Sequence, residues 1–425
     1  QFDVETTSDD AYLTEYGYSG KDRLDSAIVL TRAKRDELRQ FSFVNFRTLR
    51  DGEDNATLPT NVLDAVYERR FHPRALGGEL RLTAAAHSHV RTSDLDIDGP
   101  DPDTDADGRD VARINAGLMW MRTWTFRGGT QMQTTLGAEF DAFQVDQDAG
   151  FPNTASGITP QGAITFRYPL VRRGARATQL LEPIVQLAYV GGDPLNVPND
   201  ESTRVEFDEG NLLALSRFPQ PDARERGRSA AIGLNWSRFS NAGWEARLTL
   251  GQVVREDAAA GYSKTSGLAG ASSDVLVAGQ IRIGNGLSFS GRALFGGNLE
   301  ASKAELRGAW SNSRARVAGT YLWLVDDPAE DRPDPVSELT FDGAYNLDRH
   351  WALTSNVRYD LEDDRAAFAG IGVTYDNECV TAALTVNRRF TSSTSVEPST
   401  NVGFRVSLRG FSAQNGTESY ARACK

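Results

Sequence analysis

Cysteine is nearly absent from this chain, 2 residues in 425, so a disulfide scaffold is excluded. Histidine is almost as scarce, with 4. None of these residues stands beside a nucleophile elbow, an HExxH helix or a phosphate-cradling glycine loop. No apolar run approaches the roughly 20 residues of a membrane-spanning helix, which excludes an all-helical membrane protein. The basic stripes that bind nucleic acid are missing, and the net charge of −12 opposes such a partner. No Pro/Gly/Ser-rich linker divides the chain, so one large, uniform architecture is expected. No signal peptide precedes Gln1, and the sequence reads as mature or as cut from something longer.

What the chain has is alternation. From Val380, the residues Val380, Ala382, Leu384 and Val386 fall on one face, and Thr381, Thr385, Asn387 and Arg389 on the other. Its partner run sets Val402, Phe404, Val406 and Leu408 against Asn401, Arg405, Ser407 and Arg409. This is the period of a strand with one apolar side. Two further runs, Ala315 to Val325 and Trp244 to Leu250, alternate as clearly, whereas residues 62–71 alternate poorly. About 20 strands of about 10 to 14 residues are expected, longer than the usual globular strand. With 39 glycines, the chain has what tight turns and bent strands require.

The connections alternate too. Short Gly/Asn/Asp/Ser turns at 127–129, 171–175, 240–243, 284–286, 311–313, 346–349 and 376–378 are interleaved with longer, acidic ones at 91–110, 148–156, 191–226, 256–272 and 326–335. Short turns at one end and long loops at the other mark a transmembrane antiparallel β-barrel, with the short turns periplasmic. A soluble propeller would also give many strands, but it would repeat a motif every 40 to 50 residues, roughly, and no such repeat is present. The expected layout is a barrel over residues 1–412 and a periplasmic tail over 413–425. Odd and even connections then lie on opposite sides of an outer membrane.

Few residues carry chemistry. His72 and His350 fall at short turns, and His87 and His89 share one strand face, a pair that lacks a third metal ligand and reads as structural. An outer-membrane lipase or protease is the enzyme alternative, no motif supports it, and no enzyme is expected. The acidic loop repeats D-x-D-x-D-G, with Asp94, Asp96 and Asp98 before Gly99 and Asp103, Asp105 and Asp107 before Gly108. Alternate carboxylates bent at a glycine can converge on calcium. Position twelve, however, is Asp105 or Ile114 rather than Glu, and a solvated acidic loop is the preferred reading.

Several stretches resemble a known family. LEPIVQLAYV at 181–190, VEFDEGNLLALSRF at 205–218, RGRSAAIGLNW at 226–236, LTLGQVVR at 248–255, and ECVTAALTVNRRF with FRVSLRGF in the last hairpin are similar to the C-terminal barrel of the LPS-assembly (LptD, organic solvent tolerance) family. The resemblance implies a barrel of about 26 strands behind a periplasmic jellyroll, so the chain is expected to begin several strands into the barrel. It implies export of lipopolysaccharide (LPS) to the outer leaflet, through the lumen and a seam between first and last strands. The implied partners are LPS, an LptE-type lipoprotein plug and a periplasmic Lpt bridge, with no cofactor. Arg405, Ser407 and Arg409 are lumen or seam candidates, and the alternative reading is a general porin or substrate-specific channel. Cys379 matches the family's cysteine-bearing turn, although its neighbour is Glu378 where the family carries a second cysteine. A Cys379–Cys424 disulfide under the barrel and a bridge from Cys379 to an N-terminal domain are the two expectations.

Overall fold

The computed structural model describes residues 1–15, 21–99, 101, 103–391 and 398–408. Apart from a helical turn at Tyr12–Glu15 and a 3-10 turn at Pro328–Glu330, its regular structure is all strand. The first strands are β1 (Phe2–Asp3), β2 (Arg23–Lys34), β3 (Glu37–Thr48), β4 (Asn61–Phe71), β5 (Glu79–Val90), β6 (Asp110–Thr125) and β7 (Gln131–Asp146). There follow β8 (Thr154–Arg167), β9 (Leu170–Arg173), β10 (Ala177–Val190), β11 (Gly227–Ser240), β12 (Trp244–Arg255), β13 (Val275–Ile283) and β14 (Leu287–Phe295). The last are β15 (Ala301–Ser311), β16 (Ala315–Leu324), β17 (Val336–Asn346), β18 (Trp351–Asp360), β19 (Arg365–Asp376), β20 (Val380–Arg389) and β21 (Ser399–Leu408).

All 21 belong to one sheet, and each pairs antiparallel with its neighbours in sequence except β8 and β9, which both pair with β10. β8 and β9 are two halves of one strand, because both keep a common register against β10 across the gap at Tyr168 and Pro169. The gap lies opposite Pro183, which has no N–H to give, so only the Tyr168 N–H to Pro183 carbonyl bond of that pair forms, at 3.1 Å.

The two faces are inverted relative to a water-soluble protein. On β6 and β8, Ile114 and Ile158 are 62% and 63% exposed, while on the other face Arg113 and Asp141 are 5% and 2% exposed. Apolar residues outside and charges inside are what a bilayer and a polar lumen select. The outward rows continue along the sheet through Leu136, Leu187, Ile232, Ile281, Leu306 and Ile371. Strand β4, the poorly alternating run, obeys the same rule: Leu63, Ala65 and Tyr67 lie on the side of the outward Phe41 and Phe43, and Asp64 meets lumen-facing His87. Its pattern is obscured because Val62 and Val66 sit on the lumen side.

Connections alternate as the sequence leads one to expect, with turns such as 241–243, 284–286 and 377–379 at one end and long loops at the other. Tight turns use glycine where φ is positive. At Gly286 φ is +87°, and an added Cβ would strike the carbonyl of Ser311. Among the described residues the ladder runs from β1 to β21, and no pairing joins β21 back to β2.

The long loop 191–226 turns inward. Its Glu201 meets Arg113 on β6, and its Glu206 meets Lys303 on β15. Those strands are eight spacings apart, about 38 Å in a flat sheet, whereas five residues stretch at most about 18 Å. A compact loop reaches both walls because the sheet curves round it.

Candidate lumen and lateral edge

The lumen has a half into which loops fold, with hollows of about 580 and 460 Å³ left beside them, and a half that is open among the described residues. The first half is built on a hydrophobic cluster that no single strand explains: Val205, Phe207, Leu212 and Phe218 from loop 191–226, Leu268 from loop 256–274, and Val253, Leu276 and Leu294 from the wall. Leu212 can lie against the wall because Gly233 and Gly251 face it, and a Cβ on Gly251 would come within 2.6 Å of the leucine. Phe218 stacks on Tyr262 at 4.4 Å, joining the two loops.

Beside this core is a buried ionic centre. Glu225 accepts two bonds from the Arg217 guanidinium at 2.8 and 3.0 Å and one from the Arg217 backbone N–H at 3.0 Å. It also accepts from Tyr262 at 2.6 Å and Arg255 at 3.5 Å. The side chains of Arg217, Arg255 and Glu225 are 1%, 2% and 5% exposed, so each charge depends on the others for compensation. Burial and the Glu225 charge push the Tyr262 phenol well above its ordinary range.

A second set of contacts ties the loop to β5 and β6. Arg113 forks onto Glu201 at 2.6 and 2.8 Å. Asp200 pairs with Arg109 and lies 3.1 Å from His89 Nε2. Burial raises the Asp200 carboxyl, but His89, Arg109 and Arg91 outweigh it and hold the group below its usual range. The two strand histidines are therefore engaged: His87 Nδ1 faces Asp64 at 2.8 Å, and His87 Nε2 faces His89 Nδ1 at 3.1 Å. Through Asp200 and Glu201 they contact the inward loop. At the far side, Asp327 of loop 325–335 accepts from the Thr265 N–H at 2.7 Å and its hydroxyl at 3.0 Å. Burial raises this carboxyl, yet these bonds and Arg332 keep it low.

The open half is the wall from β15 to β21. Its lumen face carries a hollow of about 700 Å³, lined by Arg307, Arg316, Asp342, Asn356, Asn387 and Arg405 among others. It ends at β21, which pairs with β20 alone among the described residues. Val402, Phe404, Val406 and Leu408 face outward and are exposed. Arg405 and Ser407 are paired with lumen-facing Ala383 and Thr381, which puts both on the inner face. Arg409 lies outside the described residues.

The acidic loop does not gather its six aspartates. A short bridge between Asp98 and Ala106 folds the stretch back on itself. Asp98 and Asp107 then lie with Asp101, their carboxylate oxygens within 4.8 Å of one another. Asp105 instead pairs with Arg109 at 2.6 Å, and Asp103 accepts from the Asp105 N–H at 2.9 Å. His72 stands 3.8 Å from Glu79, and His350 bonds the Asp376 carbonyl at 2.9 Å. Cys379 closes the turn from β19 to β20 and is disulfide-bonded. Cys424 lies outside the described residues, as does the expected tail from 413.

The profile of the LptD family, described as LPS transport system D, matches residues 1–396. The chain belongs to the LptD family. Two LPS-assembly LptD proteins, from Vibrio vulnificus strains YJ016 and CMCP6, are each 21% identical over 268 residues, which are 58% of this chain and 34% of theirs. The chain thus spans about a third of the length of these curated relatives. Among solved structures, the copper transporter OprC aligns with TM-score 0.47 and 12% identity over 90% of this chain and 70% of its own. The siderophore receptor PirA from Acinetobacter baumannii gives 0.40 and 8% over the same shares. As an LptD-family barrel, the chain is an outer-membrane protein.

Proposed function

We propose that this chain is the barrel part of a translocon that inserts LPS into the outer leaflet, with the sugar travelling in the lumen and the acyl chains leaving sideways past β21. The observation that carries the reading is the two-faced character of the last strand. β21 has a polar inner face with Arg405 and Ser407 and an apolar outer face. An amphipathic passenger needs both at one seam, since neither a closed pore nor bare lipid accommodates it. The inward loops support the reading, because among the described residues they leave the wall beside β21 uncovered.

LPS is the passenger, and a lipoprotein plug and a periplasmic bridge of the family's kind approach from the short-turn end. Arg405 and Ser407 contact the glycolipid's phosphates and sugars on its way out. Depleting the protein in cells and following newly made LPS to the surface tests this reading. Surface arrival should fall in step with the protein; unchanged arrival would refute it and favour a porin.

A further inference from the structure

The open wall is built as more than a smooth conduit. On the lumen face of β15 to β21, Arg307, Arg316 and Arg405 converge with Asn356 and Asn387 around the hollow of about 700 Å³, a size ordinary for a small-molecule site. Glycine makes its floor. Gly370 lies opposite Asn356 on one side and Asn387 on the other, and a Cβ there would collide with the amide oxygens of both. Two asparagines can lean together over the sheet only because that position is bare.

Among the described residues, Arg307 and Arg316 face a single aspartate, Asp342. The Arg307 guanidinium donates to Thr320 at 2.8 Å. Arg316 and Asp342 have no ion-pair partner among the described residues. Guanidinium forks match phosphate oxygens, while amide and hydroxyl groups such as Asn387 and Thr385 match the adjacent hydroxyls of a sugar ring. Loop 191–226 packs on β11 to β14, where a smaller hollow of about 460 Å³ remains beside Glu209, and the larger one lies beyond it, next to the β21 edge.

From this convergence we infer that the hollow is a binding station for a phosphorylated sugar, holding the headgroup of the passenger beside the edge while its acyl chains leave. The inference rests on the LPS reading above and adds the place and the residues. Arg307 and Arg316 take the phosphate, Asn356 and Asn387 take ring hydroxyls, and Arg405 hands the group on towards the edge.

A photo-crosslinking amino acid at Asn387, in cells that depend on the full-length protein, tests it; the same group at Phe404 on β21 reports passage along the edge. LPS adducts are expected at both positions. The double variant Arg307→Ala/Arg316→Ala should lower the Asn387 adduct about ten-fold while heat-modifiable gel migration stays that of a folded barrel. Adducts at Phe404 with none at Asn387, or an Asn387 adduct indifferent to the double variant in a folded barrel, overturn the station and leave the export reading standing. No adduct at either position, with surface LPS unchanged on depletion, overturns both. Adding free glucosamine 6-phosphate, with glucosamine as control, to the purified full-length protein separates headgroup recognition from a general phosphate site. Competition by inorganic phosphate as strong as by the sugar phosphate contradicts the sugar contacts.

Discussion

Glu225→Ala should release the inward loop without unfolding the barrel. The substitution strands Arg217 and Arg255, whose side chains are 1% and 2% exposed, and removing one partner of a buried pair costs about 3–5 kcal/mol. It also deprives Tyr262 of the acceptor that its hydroxyl bonds at 2.6 Å. The loop's other anchors are the cluster around Phe207 and Leu212 and the fork of Arg113 on Glu201, so the expected result is frequent undocking rather than complete loss. Glu209→Ala is the matched control. Glu209 pairs with Arg292 at 2.9 Å, but the two side chains are 43% and 28% exposed, and such pairs contribute about 0–1 kcal/mol. Limited proteolysis of the reconstituted protein from the loop side reads the difference, with cleavage between 203 and 224 as the signal. Glu225→Ala should be cut at least ten-fold faster than Glu209→Ala, both retaining heat-modifiable migration. Equal cutting rates would refute the argument that the buried centre, rather than rim ion pairs, holds the loop inside.

Three further outcomes are expected. Leu136→Arg, on the outward face of β7, should destabilise the barrel in liposomes by about 2–4 kcal/mol in urea titrations, while Thr135→Arg on the lumen side should cost far less; similar costs would contradict the assigned faces. The Asp200 and Asp327 carboxyls are held below their ordinary range, so their stabilisation is present above the unfolded value near pH 4 and is lost as pH falls through the lower folded values. Loop proteolysis should therefore stay slow from pH 7 to 5 and accelerate only below about pH 4, and acceleration between pH 7 and 5 would be the contrary result. Non-reducing peptide mapping of the full-length protein should recover the Cys379 peptide joined to the Cys424 peptide, and a Cys379 peptide joined to any other sequence would remove the local bridge.

The wall was legible because a bilayer enforces a period of two strictly: Ile114 outward and Arg113 inward is a choice the sequence states residue by residue. The parity of connections was legible for a similar reason, since turn residues and acidic loops differ in composition. The inward fold of loop 191–226 was not. The sequence marked it only as a long acidic connection, yet Glu201 and Asp200 lie against the arginines of the wall. The signal that would have revealed it is the run Val205, Phe207, Leu212, Leu213, Leu215 and Phe218, too apolar for a loop in water. Which carboxylates of the aspartate repeat come together was not legible, because local spacing cannot anticipate the Asp98–Ala106 bridge that sorts them. The open-wall hollow was hidden for a geometric reason. Arg307, Asn356 and Asn387 come from three strands, and only the ladder register brings them together.

The central claim is that inward loops cover the wall around β11 to β14 and that the wall from β15 to β21 is the route to the edge. Cysteine accessibility in the purified full-length protein tests it most directly, using a thiol reagent of sugar size admitted to the lumen from the short-turn end. Asn387→Cys and Thr385→Cys, on the open wall, should label rapidly, and Val253→Cys and Leu276→Cys, beneath the loops at 1% and 0% exposure, should stay protected. Labelling of all four at similar rates would contradict the account.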